Sequence, residues 1–393
     1  MPNPISKSYN WQKITPDDGH YFFGYYDRNP WNHDLSKHLV MHIPQMSRLP
    51  IPGETAGIGV TDKEGNYEEL VSTRCWCHQQ GAMQLFLKHR KDCFIYNDFD
   101  EKLNKAVARI FQIGKGIAGS YDLPVYTISP DGKWAVSLDF SRIPRRGYSY
   151  ADTPLSSDVK PKDMDKDGIW LMNLESGEYK LIVSYRTMIE KHPYSYCTKD
   201  ARIWLNHAIF NCDSSRLLWL FRQHPADNPN AKWKTFLYTV SLDGSDPACV
   251  LSECQWQNFI SHQIWGRTPR EILVDADWTG NGHSAVVFDE SQRPFIAREI
   301  SPARGYASHM VFSPDGSKIL ADSYLDEEFY QYLLIIDAAT GDYEELGRFY
   351  HGPVNNVDLR NDLHPRWSPD GRFVTVDSIH DGKRGIYLLD LQK

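Results

Sequence analysis

The stretch HPRWSPDGRFVTVDSIH (364–380) reads as a short alternating strand, a Pro-Asp-Gly turn and a second alternating strand, the pattern of a β-hairpin. PVYTISPDGKWAVSLDF (124–140) and HMVFSPDGSKILADSYL (309–325) repeat it. HAIFNCDSSRLLWLFR (207–222) and HQIWGRTPREILVDADW (262–278) keep the strands and degrade the turn, and two more copies fit at 24–43 and 80–98. Most of these seven hairpins are followed by another, as in GIWLMNLESGEYKLIVS (168–184), FLYTVSLDGSDPACVLS (236–252) and LLIIDAATGDYEELGRF (333–349). Four strands per unit at a period of about 40 to 55 residues is the signature of a β-propeller. The expected fold class is therefore all-β, a single seven-bladed β-propeller domain over residues 1–393.

The last unit supplies only three strands, while SYNWQKIT (8–15) is left without a partner at the start. That N-terminal strand is expected to complete the seventh blade and close the ring, which removes an exposed sheet edge. A short helix is expected within 185–204, between blades three and four.

Composition narrows the function classes. A net charge of −8 without a basic tract argues against nucleic acid or an anionic membrane surface as partner, because both require clustered Lys and Arg. The N-terminal residues lack an apolar run of secretory length and no later run reaches about 18 apolar residues, so a soluble, cytoplasmic protein is expected. Seven cysteines in a long chain, with Cys75 and Cys77 too close for the usual two-residue spacing, suggest reduced thiols rather than a disulfide framework. Oligomeric state leaves no mark in the pattern.

Four histidines share one repeat position. His207, His262, His309 and His364 each stand four residues before the turn position held by Asn211, Gly266, Ser313 and Ser368, at separations of 55, 47 and 55 residues. The first strand of each blade lines the central channel, so four imidazoles should meet at one mouth, where a divalent transition metal would find neutral nitrogen ligands. A plug of histidines bound to water and carbonyls is the alternative.

Loops that return to that face carry further candidates. Blade two offers His78 and the pair Asn97-Asp98; the long connection 141–167 carries Arg142, Arg145, Arg146, Tyr148 and Tyr150; blade four ends its second strand with Arg222, Gln223 and His224. Guanidinium beside phenol suits recognition of a carboxylate. Tyr21, Tyr25, Tyr26 and Trp31 are candidates for stacking on a sugar ring. Asp27, Asp98 and Asp362 lie near the face, but no convincing carboxylate pair for glycoside hydrolysis emerges.

On the motifs WLNHAIF, FISHQIW and DLHPRWSPDG, the chain resembles the seven-bladed propeller lyases of uronic acids, oligogalacturonate lyase and the propeller ulvan lyases. The resemblance implies β-elimination, in which the uronate carboxylate is neutralised, a base removes the C5 proton and the C4–O bond breaks. Matched to oligogalacturonate lyase, it makes His262 and His364 metal ligands, puts Asn361 where that family has a glutamine, gives His207 the base, and sets Arg366 in place of a histidine ligand. Matched to the ulvan lyases, it points to His78 and Tyr148 for proton transfer, with Asn97 and Arg146 at the carboxylate, and places His207 among structural zinc ligands.

The combined expectation is a lyase for an acidic oligosaccharide. His78, Tyr148 and His207 are its catalytic candidates, and Asn97, Arg146, Arg222 and Arg366 its substrate contacts. His207, His262, His309, His364 and Asn361 surround a divalent metal, manganese or zinc. A non-catalytic propeller binding a glycan or protein, and a glycoside hydrolase on the same scaffold, stand as alternatives.

Overall fold

The structure, a computed structural model, describes residues 9–153, 155–192, 200–225, 233–251, 260–278, 284–292, 296–300 and 308–392. These form seven four-stranded antiparallel sheets, the blades of a propeller. The innermost strands are His20–Phe22, Leu85–Phe86, Thr127–Ile128, Ala201–Phe210, Ile260–Trp265, Met310–Phe312 and Arg366–Trp367. Middle strands such as Ala56–Thr61 and Phe373–Ser378 are buried along their whole length, because each blade packs on a neighbour through both faces.

Ring closure follows the expectation. Gln12–Lys13 pairs with Gly385–Asp390 as the outer strand of blade seven, in the register Gln12 to Leu388 and Lys13 to Tyr387. The Thr61 hydroxyl then donates to the Ile14 carbonyl at 2.5 Å, tying that terminal strand to blade one. The expected helix is Tyr185–Glu190, with the Ser184 hydroxyl accepting the Thr187 N–H at 3.1 Å as its cap. Residues 193–199 of the same expectation lie outside the described set, as do Cys197 and Cys254. Cys75, Cys77, Cys93 and Cys212 are free thiols. Among the described residues, no helix is long and apolar enough to cross a membrane.

The turns explain both strong and weak repeats. In blade seven the Ser368 N–H donates to the Phe373 carbonyl, the Gly371 N–H to the Ser368 carbonyl, and Asp370 accepts from the Ser368 hydroxyl. The third turn residue needs positive φ, which Gly132, Gly316 and Gly371 adopt freely at 75°, 72° and 72°. Leu35 and Ser214 hold that slot in blades one and four at 57° and 61°.

Blade one departs from the hairpin expected at 24–43. Its inner strand ends at Phe22, the chain leaves the sheet, and pairing resumes only at the Trp31–His38 bridge. Residues 23–29 are thereby released from the sheet, and Tyr25 and Tyr26 pack among the histidines of the channel.

Candidate functional site at the channel mouth

The repeated turn bonds define one position in all seven blades, four residues before the turn: Arg28, Met83, Val125, His207, His262, His309 and His364. His207, His262 and His364 have φ of 52°, 49° and 44°, and ladder register shifts between Asn206 and Ile209 and between Ser261 and Ile264. A non-glycine residue in this region costs about 1 kcal/mol or more, and a bulge of this kind re-aims a side chain out of the pleat.

Three of the histidines gather. The His262 and His309 rings lie 3.9 Å apart between centroids, and the His309 and His364 rings 4.4 Å apart. His309, Asp362 and His364 each offer a ligand atom within 4.8 Å of the others, and all three are buried. His207 is set apart: Tyr25 stacks on it at 5.1 Å and meets His364 edge-on at 4.8 Å.

Hydrogen bonds fix which nitrogen of each ring is available. His364 Nδ1 lies 2.8 Å from the Gly24 carbonyl, so Nδ1 carries the proton, and Nε2 is buried without a partner. His309 Nδ1 lies 3.0 Å from both oxygens of Asp322, leaving Nε2 to face the group. Asp322 also accepts the His309 and His364 backbone N–H groups, at 2.8 and 3.0 Å, and so positions two rings at once. Asp362 takes both contacts of the Arg360 guanidinium, at 2.5 and 3.0 Å. Burial is the largest single influence and raises its pKa, but the Arg360 charge, the charges of His309 and His351 and the Arg360 hydrogen bond together outweigh it and keep the carboxylate below the usual range.

Burial holds the His207, His262 and His364 imidazoles well below the ordinary histidine range, with nearby positive charge acting in the same direction. Each is therefore neutral near pH 7, the form that ligates a metal or accepts a proton. An orphaned Nε2, a histidine oriented by a carboxylate and an ionised Asp362 are the donor set a divalent transition metal requires. Asn361, next to Asp362 in sequence, donates Nδ2 to the Asp377 carbonyl and has its Oδ1 buried without a partner.

A second group surrounds His207. Its Nδ1 lies 3.3 Å from the Gln80 amide and 3.4 Å from the Tyr126 hydroxyl, and the Tyr148 ring is 6.1 Å away. The Tyr148 hydroxyl accepts from Arg222 Nη1 at 3.4 Å; burial raises its pKa against the Arg222 and Arg146 charges, so it is a neutral phenol. Arg146 and Arg222 both lie over the Trp233 ring, at 4.9 and 5.4 Å, and Arg146 Nε pairs with Asp358 at 2.6 Å.

Other candidates are used internally. Asn97 gives Nδ2 to the Val125 carbonyl and the Tyr150 hydroxyl and accepts the Val125 N–H, a tie between blades two and three in place of an open carboxylate contact. Arg366 is 1% exposed and forks onto Asp377 at 2.7 and 3.2 Å, so its charge is spent inside the fold. His78 donates Nε2 to the Arg48 carbonyl and packs edge-on to Trp76; burial lowers its pKa to about 4. Among the described residues it has no ring contact with the four histidines.

Sequence reasoning passed over the carboxylates. Asp275, Asp322 and Asp377 stand thirteen residues after His262, His309 and His364, and each is fully buried. That His-to-Asp interval is a legible repeat. Only Asp322 grips its own histidine side chain; Asp275 stands 3.9 Å from His262, and Asp377 is held by Arg366.

No family model matches the chain, and no curated protein is recognisably similar to it in sequence. Solved structures are similar in fold. Oligogalacturonate lyase from Vibrio parahaemolyticus superposes with a TM-score of 0.65 at 15% identity, over 98% of this chain and 97% of that one. An oligogalacturonate lyase in complex with manganese gives 0.67 at 15% identity, over 98% and 94%. The tricorn protease gives 0.53 at 11% identity, over 96% of this chain and 34% of that larger one. The chain thus has the propeller architecture of the uronate lyases.

Proposed function

We propose that the protein is a lyase that cleaves uronic-acid-containing oligosaccharides by β-elimination at the histidine mouth of the channel. The observation that carries this reading is the convergence of His309, Asp362 and His364 beside a separate neutral His207 backed by Tyr148 and Arg222. His309, Asp362 and His364 would hold the metal, with His262 and Asn361 adjacent. A divalent ion there supplies Lewis-acid neutralisation of a carboxylate, which lowers the cost of enolate charge.

The chain's own groups do the rest. Arg222, held by Trp233 and Tyr148, orients an anionic substrate, and Arg146 extends the positive surface. His207 takes the C5 proton. This requires its proton on Nδ1 and so the Gln80 oxygen turned toward that nitrogen; as placed, Gln80 Nε2 faces Nδ1 at 3.3 Å while its Oε1 accepts from Tyr126, so the base role needs the amide reversed. Tyr148, kept protonated by burial, donates to the departing C4 oxygen.

The product carries a carbon–carbon double bond conjugated to its carboxylate. Incubation with a panel of uronate oligosaccharides should therefore produce ultraviolet absorbance that depends on added manganese or zinc and disappears in His207→Ala. Tight binding of the panel without any absorbance would replace the lyase with a glycan-binding propeller, the reading favoured by the burial of Arg366 against Asp377.

A further inference from the structure

On the turn side of His207, the inner-strand ends border a further pocket of about 540 Å³, which meets the surroundings of His207 through Arg28 and Tyr126. The inner strands and turns of blades one, two and three line it, with Pro130 from the blade-three turn and Pro369 from the turn of blade seven. Its buried charged residues are Asp27 and Arg28, beside the polar side chains of Asn29, Asn32, Thr127 and Ser129, and Arg28 occupies in blade one the repeat position that the histidines occupy in blades four to seven.

These two side chains are each 2% exposed and incompletely satisfied. Arg28 Nε stands 3.6 Å from Asp27 Oδ1, too far for a hydrogen bond. Arg28 Nε and Nη2 and Asp27 Oδ1 are all buried without a hydrogen-bond partner. The guanidinium lies over the Tyr126 ring at 5.5 Å, which fixes its plane without consuming its N–H groups. Leaving charged groups unpaired in this way is costly, about 1–3 kcal/mol per group or more. The arrangement is complementary to a ligand that both accepts and donates.

We infer that this turn-side pocket is a second binding site, specific for a small hydroxy-carboxylate of monosaccharide size, whose carboxylate accepts from Arg28 and whose neighbouring hydroxyl donates to Asp27. A phosphate dianion fits less well, because it would set its charge against Asp27 with no proton to offer. Trp31, Leu87 and Ile128 supply apolar wall for the C–H face of a sugar acid, and Lys88 places an ammonium at the rim, where it also donates to the Pro130 carbonyl at 2.9 Å. The volume suits one sugar unit rather than a chain. The inference stands on the Arg28–Asp27 geometry; Arg28 also lies over Tyr126 beside His207, so the variants below are chosen to tell this pocket from the proposed lyase site.

The test is calorimetric titration of the full chain with galacturonate monosaccharide, with galactose as the neutral control, in wild type and in a His364→Ala background that disables the histidine mouth. The expected result is saturable binding of galacturonate in both proteins, at least tenfold weaker for galactose, and at least tenfold weakened by Arg28→Gln. Because Arg28 is buried, the exposed rim variant Lys88→Glu provides a second arm that leaves the fold intact, expected to weaken binding severalfold. Shifted arginine Nε–H resonances on adding galacturonate to the His364→Ala protein would add direct support. Equal affinity for galactose, loss of all binding in His364→Ala, or binding indifferent to both Lys88→Glu and Arg28→Gln would each overturn it.

Discussion

Asp377 is the residue whose removal should cost the fold most per atom changed. Its carboxylate is fully buried and receives Arg366 at 2.7 and 3.2 Å, the Phe23 N–H at 3.2 Å and Arg384 at 3.7 Å. It thus joins blade seven to Phe23, just past the first strand of blade one, at the seam where the ring closes. At 2.7 Å and an effective dielectric of about 20, the gross attraction to Arg366 is about 6 kcal/mol. Desolvation of two buried ions cancels most of that gain, so the pair itself is worth little. Breaking it is another matter: Asp377→Asn leaves the buried Arg366 guanidinium without a counter-charge and takes from Arg384 the larger of its two carboxylate attractions, for an expected loss of about 3–5 kcal/mol.

Arg366→Met should cost less, about 1–3 kcal/mol, because Asp377 keeps Phe23 and Arg384. In the double variant Asp377→Asn/Arg366→Met, one stranded charge is gone, and the total loss should fall short of the sum by more than about 1 kcal/mol. Equilibrium urea denaturation, following tryptophan fluorescence, reads all three. A loss below about 1 kcal/mol for Asp377→Asn, or strict additivity in the double variant, would refute the reasoning.

Three other outcomes are expected. Asp322→Asn, which weakens the support of His309 and His364 without touching an open ligand atom, should lower manganese or zinc affinity by about 10- to 100-fold in a calorimetric titration. Gly24→Ala should destabilise by about 1–3 kcal/mol and shift the His364 ring resonances, because Gly24 sits at φ 144° and an added Cβ would meet the Gln80 carbonyl oxygen at 3.1 Å. His78 is depressed to about 4 when folded, against 6.5 when free. Its contribution is complete above pH 6.5 and is lost as pH falls toward 4, and His78→Gln should reduce the slope of the stability profile in that window by up to about 1.4 kcal/mol per pH unit, leaving the part that His207, His262 and His364 contribute in the same direction.

The fold was legible because its turns are written in residues with few conformational alternatives. SPDG marks three hairpins, and period and strand alternation carry the rest, including the donation of Gln12–Lys13 to blade seven. Blade one was misread for a physical reason: Leu35 holds a positive-φ slot without the usual glycine, and the excursion between Phe22 and Trp31 breaks the strand pattern.

In the site, the shared position of four histidines was visible. What was not visible is that an aromatic from blade one, Tyr25, stands against His207, or that Asp362 turns toward His309 and His364. Both depend on loops whose path no local pattern dictates. Asp322 was recoverable in principle from its thirteen-residue interval to His309. Arg366 and Asn97 were legible as residues but not as partners, since Asp377 and Val125, which occupy them, come from another strand and another blade.

The most direct test of the proposed chemistry counts two ends of the same cut. β-Elimination creates one unsaturated uronate for every new reducing end, whereas hydrolysis creates reducing ends with no double bond. With metal-supplemented protein and a uronate oligosaccharide, the account predicts a one-to-one ratio of ultraviolet-absorbing ends to new reducing ends, both abolished in His364→Ala. New reducing ends without the chromophore, or no cleavage of any uronate oligosaccharide by fully metal-loaded protein, would contradict it.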